Sequence, residues 1–130
     1  MTSSESPSQV VYHKKSRQLA LTFNNIQWHL DAELLRVYSP SAEVRGHGNN
    51  TAKLQTGKKQ VSIEGVEPVG NYAIKLTFSD GHDSGIYSWA YLRDLAENSE
   101  IYWEKYLQDI KAAGASRLPI IPVGQWKPGE

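Results

Sequence analysis

Residues 69–95, VGNYAIKLTFSDGHDSGIYSWAYLRDL, decide the fold. Tyr72, Ile74, Leu76 and Phe78 alternate with Ala73, Lys75 and Thr77, the period-two pattern of a strand with one buried face. Asp80-Gly81 is a strong turn dipeptide, because glycine accepts the positive φ that tight hairpin turns require. HDSGIY then returns as the partner strand. With a two-residue loop, Ser79 faces His82 and Thr77 faces Ser84, which places His82 away from Leu76 and Phe78 and exposes it. Ser88 follows as the N-cap of a helix, WAYLRDL.

The pattern extends in both directions. Upstream, VVYH (10–13) and QLALTF (18–23) are strands, and IQWHL (26–30) follows with Ile26, Trp28 and Leu30 on one face. Asn24-Asn25 between them suits a hairpin turn, since Asn tolerates positive φ. Asp31 is placed to cap a short helix, AELLRVY, with Glu33 at its positive end. Ser39-Pro40 stops that helix and starts a second, SAEVR, which Gly46 ends. HGNNTAKLQTGKK is a polar loop, and Val61, Ile63 and Val66 belong to a strand closed by Pro68 and Gly70. Downstream, Asn98 or Ser99 caps the longest helix. Its Trp103, Tyr106, Leu107 and Ile110 form an apolar stripe, and Gly114 ends it.

Strands that arrive as hairpins, with helices after them, define an α+β domain with a largely antiparallel sheet. Short helices follow strand three, and the C-terminal helix is expected to pack on the sheet. Residues 1–8 form an expected disordered tail, 9–114 the domain and 115–130 an extended tail with Ile120, Ile121 and Trp126 available to fold back or to anchor a partner.

The 130 residues carry 39% hydrophobic and 22% charged side chains, an ordinary composition for one globular domain. No apolar run is long enough to span a bilayer, and the start lacks the basic and apolar regions of a signal peptide. With no Cys there are no disulfides, thiolate nucleophiles or Cys-ligated metals. These features suit a cytoplasmic protein. The formal net charge of zero argues against a general polyanion binder. The charge is uneven: no acid lies between Glu43 and Glu64, where Arg45, Lys53, Lys58 and Lys59 sit, while seven acids face Arg93 and Lys105 between Asp80 and Asp109. The two regions either attract each other or, as a basic loop over 45–59, leave a site for phosphates or an acidic partner.

Chemical motifs are sparse. His29-Leu30-Asp31 matches the H-x-D half of an iron facial triad, without a second His in register. His13, His29 and His47 are scattered. Ser39, Ser41 and Ser84 lie in no nucleophile elbow. No G-x-G-x-x-G or Walker loop is present.

Three segments together are more specific. LRVYSPSAEVRGHG (35–48), residues 69–95 and the opening hairpin resemble the gamma-butyrobetaine hydroxylase-like N-terminal domain family over about residues 9–112. In that family, stand-alone bacterial members coexist with larger proteins in which the domain precedes a dioxygenase barrel or follows an iron–sulfur cluster carrier. The resemblance implies a zinc module whose ligands correspond to Ser39, Ser41, Val44 and His82, and hence a zinc site lost in this chain. No cofactor is expected. The expectation is a non-catalytic adaptor with a protein partner, such as an oxygenase or an iron–sulfur carrier, and an interaction face of Arg36, Glu43, Arg45, His47, His82 and Asp83. A small metal- or ligand-dependent enzyme using His82 and Asp83, with His47, and an anion or nucleic-acid binder through 45–59 stay open beside it.

Overall fold

A computed structural model describes residues 6–41, 44 and 53–119. The N-terminal half is a three-stranded antiparallel meander: β1 (Gln9–His13), β2 (Gln18–Phe23) and β3 (Ile26–Asp31). Phe23 pairs with Ile26, so Asn24 and Asn25 form a two-residue turn, and both take positive φ, 49° and 66°. The expected hairpin is therefore present, for the expected reason. Leu19, Leu21, Phe23 and Leu30 are buried, whereas Ile26 is 53% exposed at the end of its strand. Ser8, within the expected tail, already joins the meander by donating its N–H to Thr22 O at 2.8 Å.

Helix α1 (Ala32–Val37) leaves β3 directly, and all six of its residues are buried. Asp31 occupies the N-cap position but makes no capping bond; it accepts from Gln18 Nε2 at 3.0 Å instead. Ser39 does act as a cap, accepting the N–H of Ser41 at 3.4 Å across Pro40. The rest of the expected second helix and its glycine stop lie outside the described residues, except Val44, whose N–H reaches Ser41 O at 3.1 Å.

The second meander comprises β4 (Ile63–Val69), β5 (Ala73–Phe78) and β6 (Ile86–Ser88). Thus the described residues build two antiparallel sheets. Their inner faces share one core: Leu19, Leu21 and Phe23 from the first, Ile74, Leu76, Phe78 and Tyr87 from the second. Leu34 and Leu35 of α1 join it, as do Leu92 and Leu95 of α2 (Trp89–Glu97). Complete burial of each such side chain is worth roughly 1.5–3 kcal/mol. The Tyr12 hydroxyl bridges the sheets by accepting from Ile63 N at 3.0 Å. Tyr72 departs from the expected alternation. It lies in the turn between β4 and β5 and is 57% exposed.

Ser88 caps α2 as expected, accepting from Tyr91 N at 3.1 Å. Helix α3 (Ser99–Ala112) ends in a Schellman motif. Gly114, at φ +63°, donates to Lys111 O, and Ala115 donates to Ile110 O. Tyr106 and Ile110 cluster with Val37 of α1, while Tyr102 and Trp103 reach the main core. Leu107, placed on the buried stripe by its spacing, is 37% exposed. The helix thus packs on the core through Tyr102 and Trp103 and on α1 through Tyr106 and Ile110. No helix among the described residues is long and apolar enough to cross a membrane.

Candidate functional site

The β5–β6 hairpin determines where its histidine points. Gly81 N donates to Phe78 O, and Phe78 N donates to His82 O, both at 2.9 Å. The loop is therefore the three residues Ser79, Asp80 and Gly81, with Gly81 at φ +91°. His82 stands opposite Phe78, not Ser79. Directly opposed residues share a sheet face, so the His82 ring lies on the Phe78 side, 6.1 Å between ring centroids. This corrects the exposed placement inferred from a two-residue turn. His82 is half-buried.

On that side it meets the segment after α1. His82 Nε2 lies 2.8 Å from Ser39 Oγ and 3.3 Å from Ser41 Oγ, and Ser39 Oγ lies 3.3 Å from Ser41 Oγ. Ser39 is 1% exposed. Gly85 closes the corner from the returning strand: a Cβ there would fall 2.4 Å from Ser39 Oγ and 3.3 Å from Pro40 Cδ. Any side chain at this position would force Ser39 or the backbone to shift. Tyr87, two residues farther along, donates its hydroxyl to Leu35 O at 2.6 Å. Its burial pushes the phenol pKa well up.

Asp80, in the loop, fastens the corner electrostatically. It accepts from Arg36 Nε at 2.9 Å, from Lys58 Nζ at 2.5 Å and from the His82 N–H at 3.1 Å. Partial burial alone would raise its pKa. The bonds from Lys58, the His82 backbone and Arg36 outweigh that and hold it down at about 2.

Among the residues expected to form an interaction face, Arg36 and His82 are thus drawn together through Asp80, with Arg36 7% exposed. Asp83 is exposed on the hairpin. Glu43, Arg45 and His47 lie outside the described residues. In the basic loop, Lys58 is engaged by Asp80, whereas Lys53 and Lys59 are exposed.

The positions that the family resemblance links to zinc do converge on one corner, but their chemistry does not suit the ion. Zinc takes thiolate, imidazole or carboxylate donors. Ser39 and Ser41 offer neutral hydroxyls, Val44 offers no donor, and His82 is a single imidazole. Among the described residues, no group of three His, Cys, Asp or Glu side chains is placed to hold a metal.

A second polar site has no counterpart in the sequence motifs. Glu33 of α1, 6% exposed, accepts from Tyr106 at 2.6 Å and from Arg117 Nε and Nη2, each at 2.8 Å. Burial, followed by the bond to Glu33, raises the Tyr106 pKa. The only sequence signal was an acid inside a short apolar helix. Gly85 had a clearer one, a glycine in the segment HDSGIY that the sequence reads as a returning strand.

The fold and corner define an α+β domain of paired antiparallel meanders, with a polar corner between the segment after α1 and the β5–β6 hairpin. Residues 10–93 match the family model described as gamma-butyrobetaine hydroxylase-like, N-terminal, and the chain belongs to that family. Two NMR solution structures are similar. One is 48% identical with a TM-score of 0.78, covering 93% of this chain and 96% of that one. The other is 51% identical with a TM-score of 0.75, covering 98% and 97%. A crystal structure from Acidithiobacillus ferrooxidans, of a protein of unknown function in the DUF971 family, is 35% identical with a TM-score of 0.61. It covers 74% of this chain and 98% of that one. No curated protein matches.

Proposed function

We propose that this chain is a non-catalytic protein-interaction domain whose partner is an oxygenase or an iron–sulfur carrier on another chain. In this reading, hydrogen bonds have taken over the corner that zinc holds in relatives. The observation that carries it is the closure of Ser39, Ser41 and His82 on one another. The side chains best suited to chemistry are occupied in joining a loop to a hairpin, and Ser39 is almost inaccessible. The exposed hairpin flank at Asp83 then serves as recognition surface. A cytoplasmic setting suits the Cys-free sequence. Reciprocal pull-downs test the role: the tagged chain retains an oxygenase or an iron–sulfur carrier, and that protein, when tagged, retains the chain. Repeated failure in both directions would count against it.

One contact favours an enzyme. Ser39 Oγ and His82 Nε2, 2.8 Å apart, have the spacing of a nucleophile and its base. A fluorophosphonate probe separates the two readings. The adaptor reading expects no covalent adduct, while an adduct mapped to Ser39 would establish the enzyme.

A further inference from the structure

We infer that the C-terminal half of α3 and residues 115–118 form a movable arm, latched to the body of the domain by Arg117 on Glu33. This arm is one wall of the cleft beside Ser39. The cleft is about 300 Å³. Lys105, Tyr106 and Asp109 of α3 form one side, and Val37, Tyr38, Ser39, Val44, Leu54 and Gln55 form the other.

The two halves of α3 are held differently. Its first half is anchored to the body. Tyr102 and Trp103 pack on the main core, Tyr102 donates to Asp94 Oδ2 at 2.5 Å, and Tyr38 donates to Tyr102 O at 2.8 Å. Among the described residues, the second half makes a small apolar contact, in which Tyr106 and Ile110 meet Val37 with Tyr38 and Ala115 packed beside them. Its other attachment is polar. Arg117 grips both oxygens of Glu33, and Tyr106 donates to one of them, so a single buried carboxylate positions the cleft wall and the chain beyond it. The Arg117 guanidinium also lies over Trp103, 5.0 Å from the ring centroid. Ser116 O and Arg117 O accept from Gly57 N and Lys59 N, each at 2.9 Å, which ties the arm to the segment before β4.

A latch of this kind acts on an equilibrium. Among the described residues, Arg117 is the cation bonded to Glu33. Without it, a buried carboxylate keeps only a neutral phenol as partner, and the closed arm becomes costly relative to an open one in which water reaches Glu33. Local opening of an end held by few apolar contacts then precedes global unfolding.

Amide exchange by NMR on the full chain tests this, comparing the wild type with Arg117→Ala and with Glu33→Gln/Arg117→Ala. In Arg117→Ala, the amides of residues 106–113, Gly57 and Lys59 should exchange at least about tenfold faster, while those of β2 and β5 keep their protection. The double variant should recover most of that loss, because a buried amide needs no counter-charge. Unchanged exchange over 106–113, an equal loss across β2 and β5, or no recovery in the double variant would each overturn the arm.

Discussion

Two polar knots hold the segments around α1, and they are built on opposite principles. The Ser39–Ser41–His82 corner is small, has two hydroxyls and one ring, and closes a hairpin onto a turn. The Glu33–Arg117 clasp is ionic and joins residues 84 positions apart. A neutral knot loses about 0.5–1.5 kcal/mol for each hydrogen bond removed. An ionic knot loses much more when one partner leaves, because the other stays behind as a buried charge. The corner is therefore the tolerant element of the fold, and the clasp the sensitive one.

This contrast ranks the expected effects. Arg117→Ala should lower the free energy of opening the end of α3 by about 3 kcal/mol, the low end for breaking a buried pair, since its side chain is 30% exposed. Amide exchange over 106–113 measures it, and a local loss smaller than the loss of stability in any corner variant would invert the comparison. Gly85→Ala comes next, at about 2 kcal/mol, because its Cβ would collide with Ser39 Oγ at 2.4 Å. Adding Ser39→Ala should return part of that loss, and no return would place the strain elsewhere. His82→Ala should cost about 1.5 kcal/mol, since Ser39 and Ser41 still bond to each other.

The smallest effect is pH-dependent. Asp80 has its carboxyl held at about 2 in the fold, below the ordinary value near 4. Its contribution is complete above pH 4 and is lost as pH falls toward 2. The stability gap between wild type and Asp80→Asn, no more than about 1 kcal/mol for a group screened by solvent, should be constant above pH 4 and close below it. A gap that widened on acidification would reverse the sign.

Much of the fold was legible because hydrophobic alternation and turn chemistry are local. Leu19, Leu21 and Phe23 announced a buried face, and Asn24-Asn25 announced its turn. The hairpin at Asp80-Gly81 was equally visible as a turn, but its loop length was not. One extra loop residue carried His82 from the outer face to the inner one, which converted an expected surface residue into a partner of Ser39. The family resemblance had already placed Ser39, Ser41 and His82 together, where spacing alone could not. The Glu33–Arg117 clasp left no trace in periodicity, because it depends on a chain end returning across α1. Arg36 was legible as a charge, but not as one turned inward to Asp80.

Metal dependence separates a corner held by hydrogen bonds from one held by zinc. Thermal unfolding of untagged protein should be identical before and after chelation. Ser39→Cys/Ser41→Cys/Val44→Cys, which puts thiolates at the three positions that the family resemblance links to zinc, should bind one zinc and become sensitive to chelator. Wild-type protein that carries stoichiometric zinc and loses stability when it is stripped would contradict a corner held by hydrogen bonds.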